Sequence, residues 1–118
     1  MYTMMQVCQE TSMTYQTLKY YCNEGLFPNV KRDKNNRRIF DERDIKWIKD
    51  LTCLKKCGMS IQEMKIYLDL CLQGESTIPA RQEILFRKRE ALLASITELN
   101  ECISFIDWKQ SFYDDVLS

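Results

Sequence analysis

Apolar positions recur at helical spacing along most of the chain, and the breaks between them are short and clearly punctuated. Thr3 followed by Gln6 has the form of a capping box, predicting a short helix through Gln9. Thr11-Ser12-Met13 reads as a turn, and Thr14 caps a second helix that runs to about Asn23. Gly25 then supplies a left-handed stop. Within that second helix Leu18 and Tyr21 are the expected core residues. Two short helices joined by a tight turn have helix-turn-helix spacing. From Pro28 to Phe40 the helical period disappears. Asn29-Val30-Lys31-Arg32 and Arg38-Ile39-Phe40 are placed to pair as two strands, with Asn35-Asn36 at the tip because Asn tolerates positive φ.

Helical order resumes at Asp41, an N-cap with Asp44 in the first turn where the helix dipole favours negative charge. That helix reaches about Cys57, and Gly58 ends it. Ser60 with Glu63 opens the next, which fades at Gln73-Gly74. Thr77 and Pro79 start the last element, which contains no Gly or Pro after that start. Ile78, Leu85, Leu92, Leu99, Ile106 and Tyr113 recur every seven residues, and Ile96 and Ile103 supply the second heptad series. Such a helix spans on the order of 50 Å at about 1.5 Å per residue, too long for a small globule to cover alone. An apolar seam of that length calls for a partner, and a second copy of the same helix is the simplest one. The seam residues are therefore Ile78, Leu85, Leu92, Ile96, Leu99, Ile103 and Ile106.

The fold expected is all-α with a small β-hairpin wing. A winged helix-turn-helix head occupies residues 1–74, followed over 75–118 by an antiparallel coiled-coil dimerisation helix and a short tail. Charge sharpens that division. The chain has 118 residues and no net charge, with 17 Lys and Arg against 17 Asp and Glu. Residues 1–60 nevertheless carry eleven basic and seven acidic side chains, and residues 61–118 carry six and ten. Five of the eight residues from Lys31 to Arg38 are basic. A basic hairpin beside a helix-turn-helix points to a polyanion, and double-stranded DNA is the one such a head fits.

Composition removes other chemistries. Without histidine, Ser-His-Asp and Cys-His catalysis and His-containing zinc sites are excluded. No Gly-rich phosphate loop or HExxH occurs, so no enzyme and no cofactor is implied. The start of the chain lacks the basic flank and apolar run of a signal peptide, and no stretch approaches the roughly 20 apolar residues of a membrane span. The expected compartment is the cytoplasm, with no membrane partner, where the six cysteines stay reduced.

The order of elements and the residues within them resemble the MerR family of bacterial transcription regulators. Thr17-Leu18-Lys19-Tyr20-Tyr21-Cys22-Asn23-Glu24-Gly25-Leu26 is similar to the family's "tLRYYe…GL" block. Arg38-Ile39-Phe40 followed by Asp44-Ile45 resembles its "YRxY…D(I/V)" wing, and Lys55-Lys56-Cys57-Gly58-Met59-Ser60 its junction before the fourth helix. Two departures stand out. Lys19 replaces the usual Arg and loses the bidentate phosphate fork. Arg37 and Phe40 replace the usual wing tyrosines.

The reading of the residues and the resemblance together give the expected roles. Thr14, Tyr15 and Gln16 lead the second helix into the major groove, with Lys19 and Tyr20 meeting phosphate one turn on. Lys31, Lys34, Arg37 and Arg38 grip flanking backbone, and Lys56 completes the DNA-binding set. The resemblance implies a homodimer that bends and untwists a promoter so that RNA polymerase, an indirect partner, can engage.

The effector has to be read from the cysteines. The family's metal sensors use Cys near the start of the coiled coil and in a loop after it, and nothing past Cys102 is such a ligand. The resemblance thus implies no thiolate cage within one chain, and Cys71 and Cys102 can meet only across a dimer. Cys53 lies off the apolar face formed by Trp47, Ile48, Leu51 and Leu54, between Lys49 and Lys56. Positive neighbours favour a reactive thiolate, whereas the helix C-terminus opposes an anion. Physical chemistry alone leaves open whether Cys53 is a reactive thiol or a small packed hydrophobe. The resemblance places it where the aldehyde- and thiol-stress-responsive branch has its single sensing cysteine, with Cys57 a possible second thiol and Cys8 and Cys22 as packing residues. The implied function is a DNA-binding regulator that senses aldehydes or reactive nitrogen or oxygen species. The alternatives are a regulator with purely structural cysteines or a metal-responsive one.

Overall fold

A computed structural model describes all 118 residues, Met1–Ser118. Five α-helices and one two-stranded hairpin follow in the order α1 (Met4–Thr11), α2 (Tyr15–Asn23), β1 (Lys31–Arg32), β2 (Arg38–Ile39), α3 (Glu42–Lys56), α4 (Ile61–Leu72) and α5 (Ile78–Leu117), with a 3₁₀ turn at Glu75–Thr77. The chain divides into two compact units, Met1–Arg81 and Gln82–Ser118.

The first unit starts its helices where its short polar side chains dictate. Thr3, Asp41 and Ser60 each close a reciprocal capping box, with Gln6, Asp44 and Glu63 respectively. Thr14 accepts from the Thr17 backbone N–H at 3.1 Å and opens α2. α1 runs two residues beyond the Gln9 expected for it, because the Thr11 hydroxyl donates to the Val7 carbonyl and Ser12 takes the left-handed position itself. A polar residue at that turn replaces the glycine that usually ends a helix.

The core of this unit is built from Val7, Leu18, Tyr21, Leu26, Phe40, Ile48, Leu51 and Met64, each almost fully buried. α1 packs on both α2 and α3, and α3 packs on α4. Trp47, half-buried on α3, donates its indole N–H to the Leu26 carbonyl at 2.8 Å and fixes the chain just after α2. One buried polar atom has no partner, the Tyr21 hydroxyl.

The hairpin is shorter than its sequence suggested. Lys31 pairs with Ile39 and Arg32 with Arg38, whereas Asn29 and Val30 stay outside the ladder. Phe40 pairs instead with Tyr2, through backbone hydrogen bonds of 2.8 and 2.9 Å. The N-terminus thereby acts as a third edge that anchors the hairpin to the core. At the hairpin tip Asn36 adopts φ 60°, and the Asp33 carboxylate accepts from the Asn35 and Arg37 backbone N–H groups.

α4 closes onto the turn that follows it. Thr77 is buried, and its hydroxyl reaches the Leu70 and Gly74 carbonyls. The Arg81 guanidinium donates to the Thr77 hydroxyl at 3.0 Å and to the Gly74 carbonyl at 2.6 Å. The Leu70 carbonyl in the last turn of α4 and the Gly74 carbonyl just beyond it are thus satisfied by Thr77 and Arg81. The last element therefore begins with the 3₁₀ turn, and Ile78 rather than Thr77 is the first α-helical residue.

The second unit is helix throughout to Leu117, and α5 contains no buried residue. Phe105, Trp108, Phe112 and Tyr113 form a chain of ring contacts at 5.6–6.1 Å, with the Lys109 ammonium over three of the rings. No helix is long and apolar enough to cross a membrane.

Candidate nucleic-acid interface and thiols

The N-terminal end of α2 and the hairpin meet on one surface of the first unit. Thr14, Tyr15, Gln16, Lys19 and Tyr20 are all exposed, whereas Leu18 and Tyr21 on the other side of the same helix are buried. Alternation at helical spacing therefore sorts this segment into a polar, aromatic outer face and an apolar inner one. Tyr15 and the hairpin line a common cleft of about 450 Å³, whose walls include Met4, Met5, Arg32, Arg37 and Arg38. Cationic hairpin side chains thus stand beside the leading end of a helix, whose unsatisfied N–H groups also favour anions.

The hairpin cations are not equivalent. Lys31, Lys34 and Arg37 are exposed. Arg32 donates to the Asn36 carbonyl at 2.9 Å, bracing the tip, a role that nothing in the sequence pattern signals. Arg38 is half-buried and donates to the Asn23 side-chain oxygen at 2.8 Å, linking the hairpin to the end of α2. Of the four expected hairpin contacts, Arg38 is thus the one already tied to the protein. Lys56 is exposed in the last turn of α3.

Two further contacts lock this surface in place. Lys65 on α4 reaches the Glu24 carboxylate at 2.7 Å, joining α4 to the end of α2. That hydrogen bond holds the Glu24 carboxyl below its ordinary range. Beneath the start of α3, Asp44 is buried and its carboxyl is pushed up by that burial, while the Asp44 backbone N–H pulls the Asp41 carboxyl down. Sequence spacing shows the Asp41 cap and the Asp44 acid in the first turn, but the Glu24–Lys65 pair, 41 residues apart, leaves no local signal.

All six cysteines are free thiols. Cys53 is exposed, and Cys57 is half-buried at the C-cap of the same helix. Cys8 and Cys22 are half-buried, and burial pushes both thiols up. Cys71 is half-buried on α4 and Cys102 exposed on α5. No group of three or more Cys, Asp or Glu side chains is placed to hold a metal ion. The expected seam residues Ile78, Leu85, Leu92, Ile96, Leu99, Ile103 and Ile106 are all exposed, between 40% and 62%.

The profile of the MerR HTH family regulatory proteins matches residues 2–71. An HTH-type transcriptional regulator of Haemophilus influenzae is 31% identical over 95% of this chain and 83% of its own length. The HTH-type transcriptional regulator AdhR of Bacillus subtilis is 40% identical over 75% of this chain and 63% of its own. Among solved structures, HiNmlR, a MerR family regulator lacking the sensor domain and bound to promoter DNA, superposes with a TM-score of 0.81 at 31% identity, covering 97% of this chain and 90% of that one. The chain therefore belongs to the MerR family, as a winged helix-turn-helix transcriptional regulator and not an enzyme.

Proposed function

We propose that the protein is a cytoplasmic homodimer that binds double-stranded promoter DNA with two heads and responds to electrophiles through the Cys53 thiolate. The observation that carries the DNA part is the single exposed surface shared by the start of α2 and the cationic hairpin. Its support from outside is the promoter-bound relative of the same fold.

On that surface Thr14, Tyr15 and Gln16 lead into the major groove, where the N-terminal residues of a recognition helix meet base edges. Lys19 and Tyr20 lie one turn on, toward phosphate. Lys31, Lys34 and Arg37 hold flanking backbone, with Arg38 orienting the hairpin against Asn23 while facing the same strand. Lys56 adds a further cation. The unpartnered seam from Ile78 to Ile106 pairs antiparallel with that of a second copy, so that two heads separated by a stiff helix pair deform the DNA between them for RNA polymerase. The head then ends near residue 74 and the dimerisation segment begins near 75.

The effector part rests on exposure. Cys53 is the exposed thiol of the first unit, on the helix that ends beside Lys56. Covalent capture of an aldehyde, or oxidation by a reactive nitrogen or oxygen species, changes the size and polarity of this side chain at the end of α3.

Selection of bound sequences from a random DNA pool, followed by titration of the winner at several salt concentrations, tests the reading. Arg37→Ala and Lys34→Ala are expected to lower the slope of log K against log salt by about 0.9 for each phosphate no longer neutralised. Slopes equal to that of the parent protein would remove the hairpin from the interface.

A further inference from the structure

The last turn of α3 and its C-cap carry two thiols four residues apart, Cys53 and Cys57. The Cys57 backbone N–H is shared between the Cys53 and Leu54 carbonyls, each at 3.1 Å, and its backbone is still right-handed helical, so its Cβ stands one turn after that of Cys53. Four residues pass a full turn by about 40° at 3.6 residues per turn. Side chains so related stand one above the other, with Cβ atoms about 5–6 Å apart. A disulfide requires Cβ atoms about 3.5–4.5 Å apart, so the two sulfurs cannot join directly without unwinding the turn.

One atom inserted between the sulfurs removes that conflict. Two bonds of about 2.3 Å, the length of a thiolate bond to zinc, hold the sulfurs roughly 3.5 Å apart. That span is reachable from helical Cβ positions by rotation about χ1 alone. The nature of the bridging atom follows from what the neighbourhood lacks. No third Cys, Asp or Glu joins the pair to complete a metal site. A tetrahedral zinc ion would find only half of its ligands. A trivalent arsenic that already carries one carbon substituent needs two sulfurs and nothing more.

We propose that Cys53 and Cys57 form a two-thiol chelate for trivalent organoarsenicals. It rests on the reading of Cys53 as an accessible reactive thiol and adds Cys57 as its functional partner. With an organic arsenoxide, each sulfur forms one bond to arsenic, and the oxide oxygen leaves as water with the two thiol protons. No oxidation state changes. Cys53 and Cys57 are the only two cysteines four residues apart; Cys8 and Cys22 are half-buried on separate helices, and neither Cys71 nor Cys102 has another thiol one turn away along its helix.

Phenylarsine oxide, added in equimolar amount to the reduced full-length protein, tests the proposal. Free thiols are titrated and the intact mass is measured before and after challenge with excess glutathione. The chelate predicts the loss of two thiols per arsenic and a mass gain of one phenylarsine oxide less one water, both surviving glutathione. Retention in the parent exceeds that in Cys57→Ser or Cys53→Ser by about 10²-fold or more, the gain expected from a second linked bond. Cys71→Ser and Cys102→Ser retain arsenic as the parent does. Release from the parent as readily as from Cys57→Ser overturns the chelate, as does unchanged retention in Cys57→Ser. Iodoacetamide labelling of Cys53 in the parent and in Cys57→Ser separates the two levels. Labelling of Cys53 with no arsenic retention refutes the chelate alone, and absence of both refutes the accessible thiol as well. Far-UV circular dichroism of each variant checks that α3 remains folded.

Discussion

The two units of this chain are stabilised in opposite ways. Met1–Arg81 buries aromatic and aliphatic side chains from α1, α2, α3, α4 and the hairpin; α1, α3 and α4 are opened by capping boxes and α2 by the Thr14 cap, and left-handed residues follow the helix ends. Gln82–Leu117 lies on one helix, most of whose leucines, isoleucines and aromatics remain exposed. An isolated helix gains little beyond its own propensity, because most helical stability in proteins comes from packing an apolar face. A folded head can therefore stand by its own contacts, while the long helix awaits a surface to pack against. The proposed function divides the same way, with recognition assigned to the self-sufficient unit and association to the dependent one.

The largest effect expected is on that dependent unit. A charge placed in the seam, as in Ile96→Asp with Leu99→Asp, should abolish the dimer in sedimentation experiments and lower helical content. DNA affinity should then collapse toward that of a single head. A dimer that persists would show that the seam is not the association surface.

Truncating the core of the head should cost stability without touching association. Leu51→Ala, at a fully buried position on α3, is expected to destabilise by about 2–5 kcal/mol in chemical denaturation. Removing a cap is smaller: Ser60→Ala opens the box at the start of α4 and should cost about 1 kcal/mol. Tyr21→Phe has the opposite sign. The hydroxyl it removes is buried without a partner, so the variant should match or exceed the parent, by up to about 1 kcal/mol. A clear loss of stability would mean that this hydroxyl is satisfied in solution.

The smallest effect is read in its pH dependence. The Glu24 carboxyl is held below its ordinary 4.5 by Lys65, so the folded state binds this proton less readily than the unfolded chain. Its contribution is present in full above that value and is lost as pH falls through the lower folded value. The stability difference between parent and Glu24→Gln should accordingly be constant near neutrality and shrink only in the acid range. A difference that grows on acidification contradicts the assignment.

What could be read from the sequence divides along the range of the interactions. Caps, the left-handed stops at Gly25 and Gly58, and the heptads of α5 depend on residues a few positions apart, and spacing reveals them. The hairpin was legible as a basic, non-helical stretch, but its length was not, because Tyr2 captures Phe40 from across the sequence. The same limit hid Arg38–Asn23, Glu24–Lys65 and the Arg81 cluster at the end of α4. For the candidate interface, the α2 residues came from the leading end of the helix and the family resemblance, whereas the unequal engagement of the hairpin cations emerges only in three dimensions. Cys53 illustrates both sides: its place off the apolar face was visible in the wheel, its exposure only in the fold.

The claim that joins the two units is that a change at Cys53 alters the DNA held between two heads. A nuclease footprint across the selected promoter site, taken before and after aldehyde treatment of parent and Cys53→Ser proteins, tests it most directly. Altered cleavage at the centre of the site is expected in the treated parent, with the flanking protection retained, and no such change in Cys53→Ser. An identical response in both proteins would contradict it.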